Sequence, residues 1–180
     1  MCAGPFGVCG GAVALRREFV AEMGGFDPSL FLYYEDVDLS WRGRLAGWGV
    51  AMAPGAVADH HAGASVGHSS PLHRRLTGRN HLVLLARYAP LTVVSRAWRH
   101  EVAALIWHAR NALRVRASPT ERRWSRAEVK LRGGYILGAV RRGPQALALR
   151  RRWRRRGRGS GTLGEIDSYV RHPAEGRWAG

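Results

Sequence analysis

Acidic side chains cluster in a chain that is otherwise strongly basic. The 180 residues carry a formal net charge of +16, yet residues 1–60 contain seven Asp or Glu against four Arg. Three of these acids, Glu35, Asp36 and Asp38, directly follow the aromatic segment "FLYY". A carboxylate can take a proton from a reacting hydroxyl as a general base. Acidic residues also favour the first turn of a helix, so this pattern alone leaves a catalytic and a structural interpretation open.

Histidines and cysteines are the other residues that could support chemistry. His60 and His61 stand together, 24 and 25 positions after Asp36. A histidine at a strand end is about as often an ordinary polar residue as a metal ligand, and no second ligand accompanies this pair. Cys2 and Cys9 lack a second pair at zinc-site spacing, so we expect them to be reduced thiols.

The segments around the acids have the pattern of a compact α/β unit. Residues 10–15 are a small-residue apolar run suited to a buried strand, and residues 16–23 have apolar positions at helical spacing. Residues 35–46 are predicted as a helix with acids in its first turn and arginines near its end, which suits the helix dipole. Residues 48–54 and 56–61 are predicted as short strands.

The rest of the chain is basic and predicted to be helical. Residues 61–180 carry 25 basic and 6 acidic residues, and they end in the run "RRRWRRRGR" followed by a Gly-rich tail without periodicity. No stretch reaches the roughly 18 uncharged apolar residues that a membrane-spanning helix needs. We therefore expect a helical basic extension over residues 91–156 and a disordered tail over residues 157–180.

Several motifs of residues 10–61 resemble family 2 glycosyltransferases, and they look closest to rhamnosyltransferase-like members. The shared elements, in order, are a small-residue strand with a following helix, "GGFD", "EDVDLSWR", "AGW" and a histidine shortly after a second strand. The resemblance implies an α/β fold in residues 1–90. This part would be the acceptor-side, C-terminal half of a GT-A (Rossmann-like) catalytic domain.

The resemblance also implies an inverting transfer from a nucleotide-sugar to a glycan or lipid-linked acceptor. It places the catalytic base at Asp36, with Glu35, Trp41 and Arg42 as candidates for acceptor or substrate binding. It implies Mg²⁺ or Mn²⁺ as cofactor and matches His60 to a metal or diphosphate position. The family's role predicts cell-envelope polysaccharide synthesis by a cytoplasmic protein held peripherally at the inner face of the membrane.

The donor-binding half of such an enzyme has no counterpart in this sequence. The only D-x-D string, "DVD" at residues 36–38, lies inside the acceptor-side motif. We therefore expect a truncated form that lacks the nucleotide-binding half and is inactive alone. The alternative function is a basic protein without catalysis, which binds nucleic acid or a membrane surface through the arginine run and Trp153.

Overall fold

A computed structural model describes residues 6–59, 70–114 and 117–157. The described residues divide into two compact units, of which one contains residues 6–59 and 148–157 and the other contains residues 70–114 and 117–147. Residues 158–180 of the predicted tail (157–180) and the predicted histidine pair lie outside the described residues. Six helices are present in the described part of the chain: α1 (Arg17–Met23), α2 (Glu35–Leu45), α3 (Pro71–Tyr88), α4 (Leu91–Leu113), α5 (Pro119–Arg141) and α6 (Gly143–Gly157).

The predicted α/β, GT-A (Rossmann-like) fold is wrong for the described residues, which contain helices and no strand. Residues 10–15 and 48–54 are bends and irregular chain, and residues 51–59 are exposed throughout. The bonds within these regions are local turns, such as the Ala12 N–H to the Cys9 carbonyl and the Ala56 N–H to the Ala53 carbonyl. A strand satisfies its backbone groups only through a neighbouring strand, and here the apolar runs have none.

The first unit is built around α1 and α2. The left-handed Gly24 (φ 76°) ends α1 by donating its N–H to the Val20 carbonyl, and Gly47 (φ 89°) follows the end of α2, as the sequence predicted for both helices. The two helices approach closely, because a Cβ on Gly43 would lie 2.7 Å from the Phe19 ring. The buried apolar residues of the first unit are Met23, Leu30, Leu39, Trp41 and Leu45, together with Trp153 of α6.

The second unit is a bundle of α3, α4 and α5. Its helix starts are well specified, since Ser70 caps α3 ahead of Pro71 and Ser118 forms a complete capping box with Glu121 at α5. Helix α3 passes without a break through Gly78, where a Cβ would lie 2.9 Å from the Tyr135 ring. The missing side chain thus lets α3 and α5 come together.

A partly buried polar network also joins these three helices. Arg74 of α3 pairs with Glu128 of α5 at 2.7 Å, and Arg132 of α5 pairs with Glu101 of α4 at 2.6 Å. Tyr135 donates its hydroxyl proton to the same Glu101 carboxylate. Burial and this neighbouring carboxylate raise the pKa of Tyr135 well above its usual range, so the phenol stays protonated.

Candidate functional site

The acidic cluster lies at the start of α2, as the sequence predicted. Glu35, Asp36 and Asp38 occupy the first turn. The residue before the helix, Tyr34, has left-handed backbone geometry (φ 69°) and provides no side-chain cap. Phe31 and Tyr33 share this geometry (φ 67° and 66°), which is costly for aromatic residues. The chain thus enters the acidic turn through a strained aromatic segment, and such strain is often found at functional sites.

Asp36 is held by backbone N–H groups. Its Oδ2 accepts a hydrogen bond from the Gly10 N–H at 2.9 Å, and its Oδ1 accepts one from the Val37 N–H at 2.7 Å. The side chain remains half-buried. A carboxylate offers about four lone-pair positions, so two backbone bonds leave room for a hydroxyl donor. The geometry fixes the carboxylate while keeping an acceptor position free.

A glycine-rich segment, residues 7–10, lies along α2 and supplies this support. The Val8 N–H donates to the Ser40 hydroxyl at 3.1 Å, and that hydroxyl donates to the Asp36 carbonyl at 2.7 Å. A Cβ on Gly7 would lie 2.6 Å from Ser40 Oγ, and one on Gly10 would lie 3.3 Å from Asp36 Cβ. Glycines permit this close approach. The sequence analysis did not predict this contact between residues 7–10 and α2. The glycines of "FGVCGG" are the sequence signal that could have indicated it.

Glu35, beside Asp36, has a different environment. Its Oε2 is buried and makes no hydrogen bond within the described part of the protein. Burial raises the pKa of Glu35, and the charge of Asp36 raises it further against the lowering effect of a backbone hydrogen bond. The two adjacent carboxyl groups therefore differ in their supply of hydrogen-bond donors.

Trp41 and Arg42, the other two predicted substrate-binding residues, point into the packed part of the unit. The Trp41 ring is buried edge-to-face against Phe6, with centroids 5.0 Å apart. The Arg42 guanidinium donates to Asp38 Oδ2 at 2.8 Å and to the Met23 and Gly25 carbonyls at 2.6 and 2.7 Å. The structure thus brings Glu35 and Asp36 together and gives Trp41 and Arg42 packing roles. Contact with substrate stays a prediction for all four.

The described residues do not fit a metal site. Within residues 6–59, 70–114 and 117–157, no group of three His, Cys, Asp or Glu side chains could hold a cation. Asp38 of the D-x-D string is 1% exposed and paired with Arg42, so the string does not act as a pair of metal ligands. His60, the predicted ligand, and its competitor His61 lie outside the described residues.

Comparisons with known proteins support the interpretation of this region. The family model described as glycosyltransferase like family 2 matches residues 5–79. Two curated relatives, the N-acetylglucosaminyl-diphospho-decaprenol L-rhamnosyltransferases of Mycobacterium tuberculosis strains CDC 1551 / Oshkosh and ATCC 25618 / H37Rv, are each 33% identical over 108 residues. These matches cover 60% of this chain and 33% of each relative, so the chain spans about a third of their length.

No solved structure matches the chain. The family match begins just before the glycine-rich segment, includes all of α2 and ends within α3. The resemblance found in the motifs is therefore confirmed, and the similarity to the glycosyltransferase like family 2 extends over residues 5–79.

Proposed function

We propose that this chain serves in an inverting glycosyl transfer, in which Asp36 is the general base that activates the acceptor. The observation that carries the proposal is the position of Asp36, inside the matched segment and fixed by the Gly10 and Val37 N–H groups. A base must be held at hydrogen-bond distance from the proton it removes, and this arrangement provides a rigid carboxylate at a helix start.

The proposed reaction needs one proton acceptor and one leaving group. The acceptor hydroxyl donates a hydrogen bond to a free lone pair of the Asp36 carboxylate. Its oxygen attacks the anomeric carbon of the nucleotide-sugar while the bond to the nucleoside diphosphate breaks on the opposite face, and the proton passes to Asp36. Glu35 holds the acceptor or the base in place. Trp41 and Arg42 fix the position of α2 and thereby that of both carboxyl groups.

We place the donor site outside the described residues, together with the Mg²⁺ or Mn²⁺ that the family implies. The support is that the chain matches a third of each relative and that Asp38 is committed to Arg42. His60 is retained as a candidate ligand. On this proposal residues 1–180 need a donor-binding partner or segment for turnover.

The acceptor that we propose is a lipid-linked glycan used in cell-envelope polysaccharide synthesis. The names of both relatives contain such an acceptor, an N-acetylglucosaminyl-diphospho-decaprenol. A lipid-linked acceptor would bring the protein to a membrane surface, and we propose peripheral association at the cytoplasmic face. No helix in the described residues is long and apolar enough to cross a bilayer.

A chimaera tests the base directly. The matched segment of this chain would replace its counterpart in a Mycobacterium tuberculosis relative, and transfer to the lipid-linked acceptor would be measured. Asp36→Asn should lower turnover by about 10²- to 10⁴-fold, as loss of a general base does, and Glu35→Gln should cost less. Asp59→Asn, at an exposed carboxylate of the same segment, is the matched control. Near-normal turnover of Asp36→Asn in an active chimaera would overturn the assignment.

A further inference from the structure

The outward face of α4 combines arginines with exposed apolar side chains. Arg96, Arg99 and Arg110 are exposed along the helix, and so are the apolar residues Val102 (42% exposed), Ile106 (47%), Trp107 (55%) and Leu113 (81%). All of these positions except Trp107 recur at intervals of three and four, so they form one stripe of the helix surface with Trp107 at its edge. We call this stripe the α4 face. Val102 and Ile106 thus lie among the arginines.

The α4 face carries no negative charge from its own helix. Glu101 is the only acid of α4, and it turns inward to pair with Arg132 of α5. The opposite side of α4 contains the buried His108 and Ala112, so the helix is packed on one side and open on the other. Trp124 of α5 (53% exposed) extends the face, because its ring lies 6.3 Å from that of Trp107.

We propose that the α4 face is a docking surface for an anionic lipid bilayer. This names the surface responsible for the peripheral association proposed above, and it depends on no catalytic step. The helix has 23 residues and is about 35 Å long, enough to lie along a membrane surface. Its guanidinium groups can reach lipid phosphates while the apolar side chains between them enter the headgroup region. The exposed tryptophans suit the same interface.

Charge and chemistry favour this occupant over others. A second copy of the chain would bring one arginine stripe against another, and like charges in contact repel. Nucleic acid would match the arginines but would leave Val102, Ile106 and Leu113 unused. An anionic bilayer satisfies both sets of side chains at once.

The test is partition of the full chain onto phosphatidylcholine vesicles with and without phosphatidylglycerol. Two triple variants remove equal charge, from the α4 face and from the exposed side of α5: Arg96→Gln/Arg99→Gln/Arg110→Gln, and Arg123→Gln/Arg126→Gln/Lys130→Gln. The α4 variant should lose about 100-fold in partition onto anionic vesicles, since each basic residue near the surface contributes about fivefold. The α5 variant should lose only a few-fold. Circular dichroism checks that both variants fold.

The apolar contribution is measured at high salt, where the Debye length falls to about 3 Å. Residual binding should then depend on Ile106 and Leu113 and disappear in Ile106→Ser/Leu113→Ser. Equal losses of binding in the two triple variants, or equal binding of the wild type to neutral and anionic vesicles, would overturn the proposal. It would also be overturned if the wild type were a dimer that binds no vesicles and that Ile106→Ser/Leu113→Ser converts to a monomer. Tighter binding to duplex DNA than to anionic vesicles, lost in the α4 variant, would assign the face to nucleic acid instead.

Discussion

Arg42 connects the two helices of the first unit through a single side chain. It pairs with Asp38 inside α2 and donates to the carbonyls of Met23 and Gly25, where α1 ends. Both charged groups are almost fully buried, with Arg42 at 7% and Asp38 at 1% exposed. Removing one partner of such a pair leaves the other charge buried and uncompensated.

We therefore expect Arg42→Met to destabilise the protein by about 3–5 kcal/mol, measured by urea unfolding. Arg17→Met, which removes an exposed arginine from α1, is the matched control and should change stability by less than about 0.5 kcal/mol. Equal effects of the two substitutions would show that the Arg42 contacts contribute no net stability.

Glu35 should make stability depend on pH. Its pKa in the folded protein is raised, chiefly by burial, so keeping it ionised costs stability. The stability that the protonated carboxyl contributes is fully present below the pKa of the unfolded chain, which is about 4.3. It is lost as the pH rises through the raised pKa of the folded protein. Relative to the wild type, Glu35→Gln should gain stability as the pH rises through this window.

Urea unfolding at a series of pH values measures this difference, with Glu18→Gln as the control for loss of one exposed carboxylate. A difference between wild type and Glu35→Gln that stays constant with pH would contradict the prediction. For individual residues, the order of the motifs was enough to predict that Glu35 and Asp36 lie at the start of a helix. It could not show that Arg42 is internal or that Gly10 supports Asp36, because both depend on contacts across more than 15 residues.

Among the elements, the contact of α3 with α5 depends on a missing side chain. A Cβ at Gly78 would lie 2.9 Å from the Tyr135 ring, whereas a Cβ at Gly133 in α5 would meet nothing within 4 Å. We expect Gly78→Ala to destabilise the protein by about 1–3 kcal/mol through overpacking. Gly133→Ala should stabilise it by up to about 1 kcal/mol, because alanine is the better helix former.

Urea unfolding of these two variants checks the contact, since both make the same chemical change inside a helix. If Gly78→Ala were also stabilising, the spacing of α3 and α5 would not be set by this glycine. The helices themselves were largely predictable from sequence, because Gly24, Gly47 and the Ser-Pro pairs mark their ends. The strands predicted at residues 10–15 and 48–54 do not form, because a short apolar run indicates burial but does not specify a neighbouring strand.

The whole molecule has an acidic first part and a strongly basic remainder. We expect the isolated chain to show no Mn²⁺-dependent binding of a nucleoside diphosphate, because Asp38 of the D-x-D string is engaged by Arg42. Calorimetric titration with and without EDTA measures this. Binding of the anion through arginines alone would be insensitive to EDTA and weakened by salt. Metal-dependent micromolar binding would show that the donor site lies within this chain.

At this scale the sequence predicted the family resemblance and the charge asymmetry but not the architecture. The family follows from motif order, which is a property of the chain itself. The α/β fold class was inferred from short apolar runs as well as from that resemblance, and the described residues correct it. The placement of arginines beside apolar groups on α4 depends on which side of the helix meets α5, and periodicity alone did not determine that side.

The partly buried ion pairs of the second unit lead us to expect an order of assembly. Arg132 meets Glu101 across 31 residues, whereas Arg74 meets Glu128 across 54. Closing the shorter loop costs less chain entropy, so the hairpin of α4 and α5 forms first and α3 docks onto it afterwards. During synthesis, however, α3 leaves the ribosome before either of its partners exists. The apolar side of α3 is therefore exposed to solvent until α5 has been synthesised. We expect the chain to be most prone to aggregation during translation.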